Sequence, residues 1–321
     1  MIVGALILTL LSTPSVAAAP VETRELVTDL PTDFLPEGVE WDAKHSRFLI
    51  SSIRQHRIAS VDPSNGHATD FGDAPGSVLG VHIDAKTNVV WAVWTQFGHG
   101  FKDNKNTGLS AWSTDDAHHI GDWPLPDKNP QVNLGDLVIV DAHTLVVSDS
   151  GTGAVWRFDM KSHTFTSIVA AGKFKSPQGM SLGRTSGTIY LADYSTGLWR
   201  IQLKSGAVTQ LATPAGAELR GLDGLYRRGD QLIAIQNGTK TPRVLVITLD
   251  KSDLIIDVRH WIDLTGAADE PSLGTFSNDT FWFVADGQWN EYDEDLKPKP
   301  DVKLLAPKLR ALPLSELAKQ K

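Results

Sequence analysis

Two carboxylates and one amide occupy the same place in a motif that recurs along this chain. Glu37, Gln178 and Asp223 each stand directly before a glycine that opens a short apolar segment. Carboxylate and amide oxygens suit hard divalent cations such as Ca²⁺ and Mg²⁺, which need neither cysteine nor histidine. If the three side chains meet, they favour cation binding, because carboxylates gathered without a cation repel one another.

The motif recurs six times, and its spacing predicts the fold. Each copy opens a short apolar strand, and a second strand follows that ends in a small or acidic residue. The register marks, 42 to 56 residues apart, are Gly38, Gly80, Asp136, Gly179, Gly224 and Gly274. A period of about 40 to 50 residues built from short strands is typical of propeller blades. We therefore predict an all-β fold: a six-bladed β-propeller with four-stranded antiparallel blades around a central channel.

The pattern between the marks supports strands. Residues 155–159 alternate, so that Val155, Arg157 and Asp159 face one side while the two aromatic residues between them face the other. Such period-two patterning favours β-structure. Turns at 62–66 and 204–206 contain the glycine that tight hairpins need. Only the tail, residues 312–321, is a candidate for an amphipathic helix.

In a propeller, the first residues of the innermost strands face the axial channel, so positions far apart in sequence meet there. The residues just before the six marks are Glu37, Leu79, Gly135, Gln178, Asp223 and Leu273. We expect the two carboxylates and the amide among them to converge at one mouth of the channel. A divalent cation held between them would relieve the repulsion between the carboxylates.

Composition limits the classes of partner. The chain has 321 residues, of which 30 are Lys or Arg and 38 are Asp or Glu, for a net charge of −8. No basic stretch interleaves with aromatic residues, so we expect no nucleic-acid partner. Cysteine is absent, which excludes disulfides and thiolate chemistry. A small-molecule substrate and a monomeric protein are the expectations.

The N-terminus predicts export. Residues 1–19 combine an apolar run with small residues ending in Ala17–Ala19, which is typical of a signal peptide, although the usual basic residues are missing. The apolar run is too short to span a bilayer. We expect a leader over residues 1–19, one propeller domain over 20–321, and a secreted or periplasmic product with no membrane attachment. A buried strand or a membrane anchor is the alternative for this segment.

Three segments resemble one known family. They are residues 35–41 (LPEGVEW), residues 177–182 (PQGMSL) with the strand at 189–193, and residues 222–225 (LDGL). At these positions the chain resembles the SMP-30/gluconolactonase family, whose six-bladed propellers are related to paraoxonases and diisopropylfluorophosphatase. The resemblance extends over about residues 30–295.

The resemblance implies a set of metal ligands. The family's ligands are a Glu in the first blade, an Asn before Gly in a middle blade and a later Asp before Gly. Glu37 and Asp223 match directly, whereas Gln178 replaces the middle Asn and places its oxygen one methylene farther out. Many members have a further Asn in the third blade; this chain has Gly135 there, and the adjacent Asp136 would complete the shell. Ca²⁺ is the expected cation, with Mg²⁺, Mn²⁺ or Zn²⁺ as alternatives.

The resemblance also implies hydrolysis of a small lactone or ester. The cation would polarise the carbonyl and a carboxylate would transfer a proton, a role for which Asp223 is the candidate. Leu79 stands where paraoxonase-like relatives have a histidine, which argues against their mechanism. A G-x-S-x-G sequence at 179–183 lies at the start of a repeat strand rather than at a strand-to-helix turn, so a serine hydrolase is not expected.

Three further residues are candidates for substrate contacts. His82 lies two residues after a register mark, where it would share a strand face with that mark. The polar insertion at 96–107, which enlarges the second blade, would carry His99 and Lys102 over the channel as a lid. Four acidic or amide residues that end the second strands are better explained as turn caps: Asp149, Asp193, Asn237 and Asp286.

Two other functions remain open at this level. One is a propeller that binds a ligand or partner without catalysis, its metal site having degenerated at Leu79, Gly135 and Gln178. The other is metal-free chemistry in the same channel, as in strictosidine synthase-like proteins of this fold. Propellers carry all three kinds of function, so the fold alone does not choose between them.

Overall fold

The computed structural model describes residues 23–265 and 270–319, and the predicted leader lies outside them. These residues form six four-stranded antiparallel sheets arranged as a β-propeller, as the repeat predicted. None of the helices in the described ranges is long and apolar enough to cross a membrane.

Five blades are built from consecutive strands, and the sixth is closed by the first strand of the chain. After β1 (Arg24–Val27), the first three blades comprise β2 (Pro36–Asp42), β3 (Arg47–Ser52), β4 (Arg57–Val61) and β5 (Ala68–Asp73); β6 (Ser77–Asp84), β7 (Val89–Thr95), β8 (Thr107–Ser113) and β9 (His119–Pro124); and β10 (Leu134–Asp141), β11 (Thr144–Asp149), β12 (Ala154–Asp159) and β13 (Thr164–Val169).

The remaining blades follow the same order from the axis outward. They comprise β14 (Pro177–Leu182), β15 (Thr188–Asp193), β16 (Gly197–Gln202) and β17 (Val208–Gln210); β18 (Leu222–Arg228), β19 (Gln231–Gln236), β20 (Arg243–Leu249) and β21 (Ile255–Asp263); and β22 (Gly274–Ser277), β23 (Thr280–Val284) and β24 (Lys308–Pro313), on which β1 pairs as the outer strand. This pairing ties the two ends of the described chain together and closes the ring.

Helical segments are few and short. Two 3₁₀ turns, His99–Phe101 and Trp289–Glu291, lie in the loops that extend the second and sixth blades. The tail forms a helix only over Ser315–Lys319, because the predicted amphipathic stretch begins inside β24.

The hydrophobic core lies between the blades. One cluster, for example, joins Leu49 and Ile58 of the first blade to Val78, Val90 and Trp112 of the second. Each sheet therefore buries both faces against its neighbours, as repeat architectures require. Truncating Leu49, which is fully buried, to alanine would cost about 2–5 kcal/mol.

The recurring glycine has a steric cause at the axis. A Cβ atom on Gly38 would lie 2.6 Å from the carbonyl oxygen of Leu79 in the next blade, and one on Gly179 would clash with the carbonyl of Asp223. Neighbouring innermost strands thus approach too closely for a side chain. In five of the six blades a break in the pairing register falls at this point. Such β-bulges re-aim side chains, here around the channel.

Candidate functional site

A cavity of about 320 Å³, the mouth cavity, is lined by residues at the start of five innermost strands or just before them. Three of the positions predicted to converge, Glu37, Gln178 and Asp223, line it together. The full lining is Glu37, Leu79, Phe97, Phe101, Asn133, Ser150, Gln178, Tyr194, Asp223, Asn237, Glu270 and Trp289. The repeat register thus brings these three side chains to one cavity, and their binding of a metal stays a prediction.

The carboxylates at this mouth are shielded from solvent to different degrees: Glu37 is buried, and Asp223 and Glu270 are partly buried. Burial, followed by the nearby charge of Asp223, raises the pKa of Glu37 well above its usual value, although a hydrogen bond from Trp289 Nε1 to Glu37 Oε2 (2.8 Å) acts against the shift. Burial also raises the pKa of Asp223 to about 6, against a hydrogen bond from Asn237 Nδ2 to Asp223 Oδ2 (2.8 Å). Burial likewise raises the pKa of Glu270.

The mouth holds no counter-charge for these groups. Among the described residues that line the cavity, three are carboxylates and none is Lys, Arg or His. Nor do the described residues contain three or more His, Cys, Asp or Glu side chains grouped closely enough to hold a metal by themselves. Any cation here would therefore depend on amide oxygens as well as carboxylates.

Amide oxygens suited to that role are present. The side-chain oxygens of Asn133 and Asn237 are buried without a hydrogen-bond partner. Gln178 donates its Nε2 to Ser176 Oγ (2.9 Å), and its Oε1 lies 3.6 Å from where a Cβ on Gly135 would stand. Buried polar atoms are rarely left unpaired, so the two asparagine oxygens point to a missing partner. An all-oxygen set of this kind fits a hard divalent cation.

Asp136 lies elsewhere than the sequence placed it. It takes the position of the register glycine in the third blade, and its carboxylate fills the space beside Gly80, where a Cβ would collide with it. Its Oδ1 lies 3.1 Å from Nε2 of His82, and its Oδ2 accepts the Met180 N–H. It does not line the mouth cavity. The physical reason is that His82 already supplies its partner.

His82 is the centre of an inner charged cluster in the channel. Its Nε2 faces Asp136, and its Nδ1 lies 3.7 Å from Oε2 of Glu40. Burial alone would lower the pKa of His82, but the hydrogen bond with Asp136 and the charges of both carboxylates outweigh it and raise the value to about 9. Burial raises the pKa of Glu40 to about 6, against the attraction of His82. His82 is therefore an imidazolium at neutral pH, paired within the protein.

The insertion at 96–107 reaches the mouth with different residues from those predicted. His99 and Lys102 are exposed, and His99 pairs with Glu294 and Asp295 on the outer surface. Phe97 and Phe101 line the cavity instead, and Phe101 contacts Trp289 at 5.9 Å between ring centroids. The lining of the mouth thus combines aromatic side chains with carboxylates and amides.

The residues that end the second strands divide into caps and one site residue. Asp149 and Asp193 accept backbone N–H groups of the adjoining turns, and Asp286 accepts that of Gln288, as predicted. Asn237 differs, because it binds Asp223 and lines the cavity. The sequence also gave no indication of Trp289 or Glu270, which come from loops without the repeat motif.

Known structures share the fold. A luciferin-regenerating enzyme superposes with a TM-score of 0.64 at 12% identity, covering 91% of this chain and 96% of that one. A glucose dehydrogenase gives 0.63 at 14% identity, covering 91% and 99%. Regucalcin from Agrobacterium tumefaciens, described as a calcium-binding protein, gives 0.61 at 13% identity, covering 89% and 92%.

These similarities establish the class of protein. The matched structures are six-bladed β-propellers, and at identities of 12–14% they show only that this chain has the same fold. No protein-family model and no curated protein sequence matches the chain. The narrower resemblance to the SMP-30/gluconolactonase family stays a prediction.

Proposed function

We propose that this protein is a divalent-cation-dependent hydrolase of a small lactone or ester, acting in the mouth cavity. One observation carries the proposal: three carboxylates, one of them buried and two partly buried, share a cavity whose described lining has no cationic side chain but includes two asparagines with unpartnered side-chain oxygens. Burying that much negative charge without compensation is unfavourable, and a cation from solution removes the penalty.

The residues that would hold the cation are Glu37, Asp223 and Gln178, with the oxygens of Asn133 and Asn237 within the same cavity. Ca²⁺ is the cation that best suits neutral and anionic oxygen ligands in a site of this flexibility. When bound, such an ion would polarise the carbonyl group of a substrate and acidify a water molecule. These donors come from the first, third, fourth and fifth blades.

The protein's own groups would orient the substrate and move a proton. Asp223, whose carboxylate lines the cavity, would accept a proton from a water molecule or return one to the leaving group. Asn237 fixes one carboxylate oxygen of Asp223, and Trp289 fixes one of Glu37. Phe97 and Phe101 would cover the apolar face of a small ring and exclude water.

We extend the proposal to location and assembly. The apolar segment and small residues at 1–19 support export to the periplasm or the medium. We propose a monomer, since one chain closes its own ring by pairing β1 with β24.

One observation favours a second function, ligand binding without catalysis. Three of the six axial positions, Leu79, Gly135 and Leu273, have no side-chain oxygen. A cavity that lacks these ligands would still bind a small polar molecule through its amides and aromatic wall.

Turnover of gluconolactone and of an aryl ester, measured with and without EDTA, separates the two functions. We expect chelation to lower turnover at least about 100-fold and Ca²⁺ to restore it, since a Lewis-acidic cation contributes several kcal/mol. Asp223→Asn should cause a similar loss. Asp73→Asn, which changes an exposed aspartate on the outer strand β5, is the matched control and should stay within about twofold.

Other outcomes contradict the proposal. Turnover that survives EDTA would favour metal-free chemistry. No turnover of either substrate, together with a rise in melting temperature on adding gluconolactone, would favour binding without catalysis.

A further inference from the structure

A second cavity, of about 600 Å³, opens at the other end of the blades. The innermost strands β10, β14 and β18 start at the mouth and run to this end, where Asp141, Leu182 and Arg227 line the cavity. It lies mainly between the third and fourth blades. It shares no lining residue with the mouth cavity.

The charge of this cavity is opposite to that of the mouth. Arg157, Lys204 and Arg227 line it, with Asp141 as the one carboxylate among the described lining residues. The chain as a whole carries a net charge of −8. A positive cleft on an acidic protein concentrates anions locally and attracts them from solution.

Comparable arginines elsewhere in the propeller show what this cavity lacks. Arg47 donates to the carbonyl of Thr114 in the next blade and also binds Asp42. Arg184 donates to the carbonyl of Leu249 in the next blade and also pairs with Asp230. Both arginines thus link two blades and have a carboxylate partner.

Arg157 makes the same link without the carboxylate. Its Nη2 donates to the carbonyl of Leu203 in the next blade (2.6 Å), and its Nε is buried without a partner. Within the described part of the chain, no carboxylate lies within ion-pair distance of Arg157, Lys204 or Arg227. Arg157, Lys204 and Arg227 therefore line an open cavity without an ion-pair partner among the described residues.

We propose that this cavity binds a small phosphorylated molecule. Three cationic side chains against one carboxylate leave about two positive charges, which match the charge of a phosphate monoester near neutral pH. A guanidinium presents several N–H donors in a plane that fits phosphate oxygens. Ser186, in the adjoining exposed turn, offers a hydroxyl, and Leu182, which is 40% exposed, offers an apolar surface for the organic part.

The proposal is independent of the mouth chemistry. The ligand would bind Arg157, whose hydrogen bond to the carbonyl of Leu203 joins the third blade to the fourth. Its binding would therefore also strengthen that junction. A ligand that binds only the folded protein raises its melting temperature by mass action.

Titration calorimetry with a hexose phosphate tests the proposal. The full-length protein should bind the hexose phosphate, and the free hexose should not bind. Lys204→Gln, which changes an exposed side chain, should weaken binding several-fold, and Arg157→Gln at least about tenfold, because hydrogen bonds to charged groups are the strong ones. Arg184→Gln, the matched arginine of the next groove, should leave binding unchanged.

Four results would overturn the proposal. They are no binding of the hexose phosphate, binding that is indifferent to both Arg157→Gln and Lys204→Gln, equal loss in Arg184→Gln, and equal affinity for the matching hexuronic acid, which would show a carboxylate site instead. Because Lys204 is exposed and makes no bond that joins blades, its variant stays informative even if Arg157→Gln fails to fold.

Discussion

Two layers of buried carboxylates lie along the propeller axis, and they are neutralised differently. In the inner layer, Glu40 and Asp136 flank His82, which is an imidazolium at neutral pH. At the mouth, the side chains of Glu37 and Asp223 accept hydrogen bonds from Trp289 and Asn237, which are neutral donors, and from no cationic side chain in the described part of the chain.

The two layers differ in how their charge is compensated. The inner layer contains a cationic side chain of the protein, so its carboxylates are paired without an ion from solution. In the mouth layer, burial raises the pKa values of the carboxylates, and two amide oxygens have no hydrogen-bond partner. Both features are unfavourable for the stability of the fold. Such uncompensated groups are typical of binding and catalytic sites.

The largest expected effect is that of removing the inner cation. His82→Leu leaves two buried carboxylates facing an apolar side chain, and breaking a buried ion pair in this way costs about 3–5 kcal/mol. Urea unfolding measures the change. His119→Leu is the control, since His119 and Asp122 form an exposed pair worth about 1 kcal/mol or less. Equal, small effects of both variants would show that the inner layer is not a stabilising pair.

Wild-type stability should also fall at alkaline pH. Because the pKa of His82 in the folded protein, about 9, lies above its ordinary 6.5, its stabilisation is complete below pH 6.5 and is lost as pH rises through 9. The shift corresponds to at most about 3.4 kcal/mol. Glu40 affects stability at lower pH. Because its pKa is raised from 4.5 to about 6 in the folded protein, its ionisation lowers the stability as pH rises between these two values. Urea unfolding from pH 6 to 10 should show a steeper alkaline decline in the wild type than in His82→Gln; parallel profiles would contradict the account.

The fold and the meeting of three polar side chains at one cavity were predictable from sequence for a common reason. The spacing of the register marks reports the blades directly, and the residue before the mark lines the same cavity in the first, second, fourth and fifth blades. Glu37, Gln178 and Asp223 therefore meet as expected.

The positions of Asp136, His99 and Trp289 depend on particular contacts, which the repeat period does not encode. Asp136 lies in a β-bulge, and the direction of a bulged side chain depends on its partner, here His82. His99 is drawn outward by Glu294 and Asp295, nearly 200 residues away in sequence. Trp289 reaches the mouth from a loop whose course is set by tertiary packing rather than by the repeat.

Within the mouth, the aromatic wall should matter more than the polar insertion. Phe101→Ala removes apolar surface beside the substrate and should raise KM for the hydrolysed lactone about tenfold, equivalent to about 1.4 kcal/mol. His99→Ala and Lys102→Ala change exposed side chains outside the cavity and should leave KM within about twofold. Steady-state kinetics measures KM for the three variants. A larger increase in KM for His99→Ala or Lys102→Ala than for Phe101→Ala would support the predicted substrate contacts of His99 and Lys102 instead.

The smallest expected effect concerns Gln178. Its amide nitrogen reaches Ser176 at 2.9 Å, and a shorter side chain would give up that bond and withdraw the oxygen from the cavity. Gln178→Asn should therefore weaken cation binding by about 1 kcal/mol or less. Calorimetric titration with Ca²⁺ measures this, with Gln202→Asn at an exposed strand end as the control. Tighter binding by Gln178→Asn would show instead that the shorter amide suits the cation better.

The central claim is that the mouth layer, unlike the inner layer, takes its cation from solution. Calorimetric titration of Ca²⁺ into the wild type, the double variant Glu37→Gln/Asp223→Asn and His82→Gln tests it most directly. The account predicts binding of one ion by the wild type and by folded His82→Gln, and none by the double variant. Absence of binding by the wild type, or binding that survives in the double variant, would contradict it.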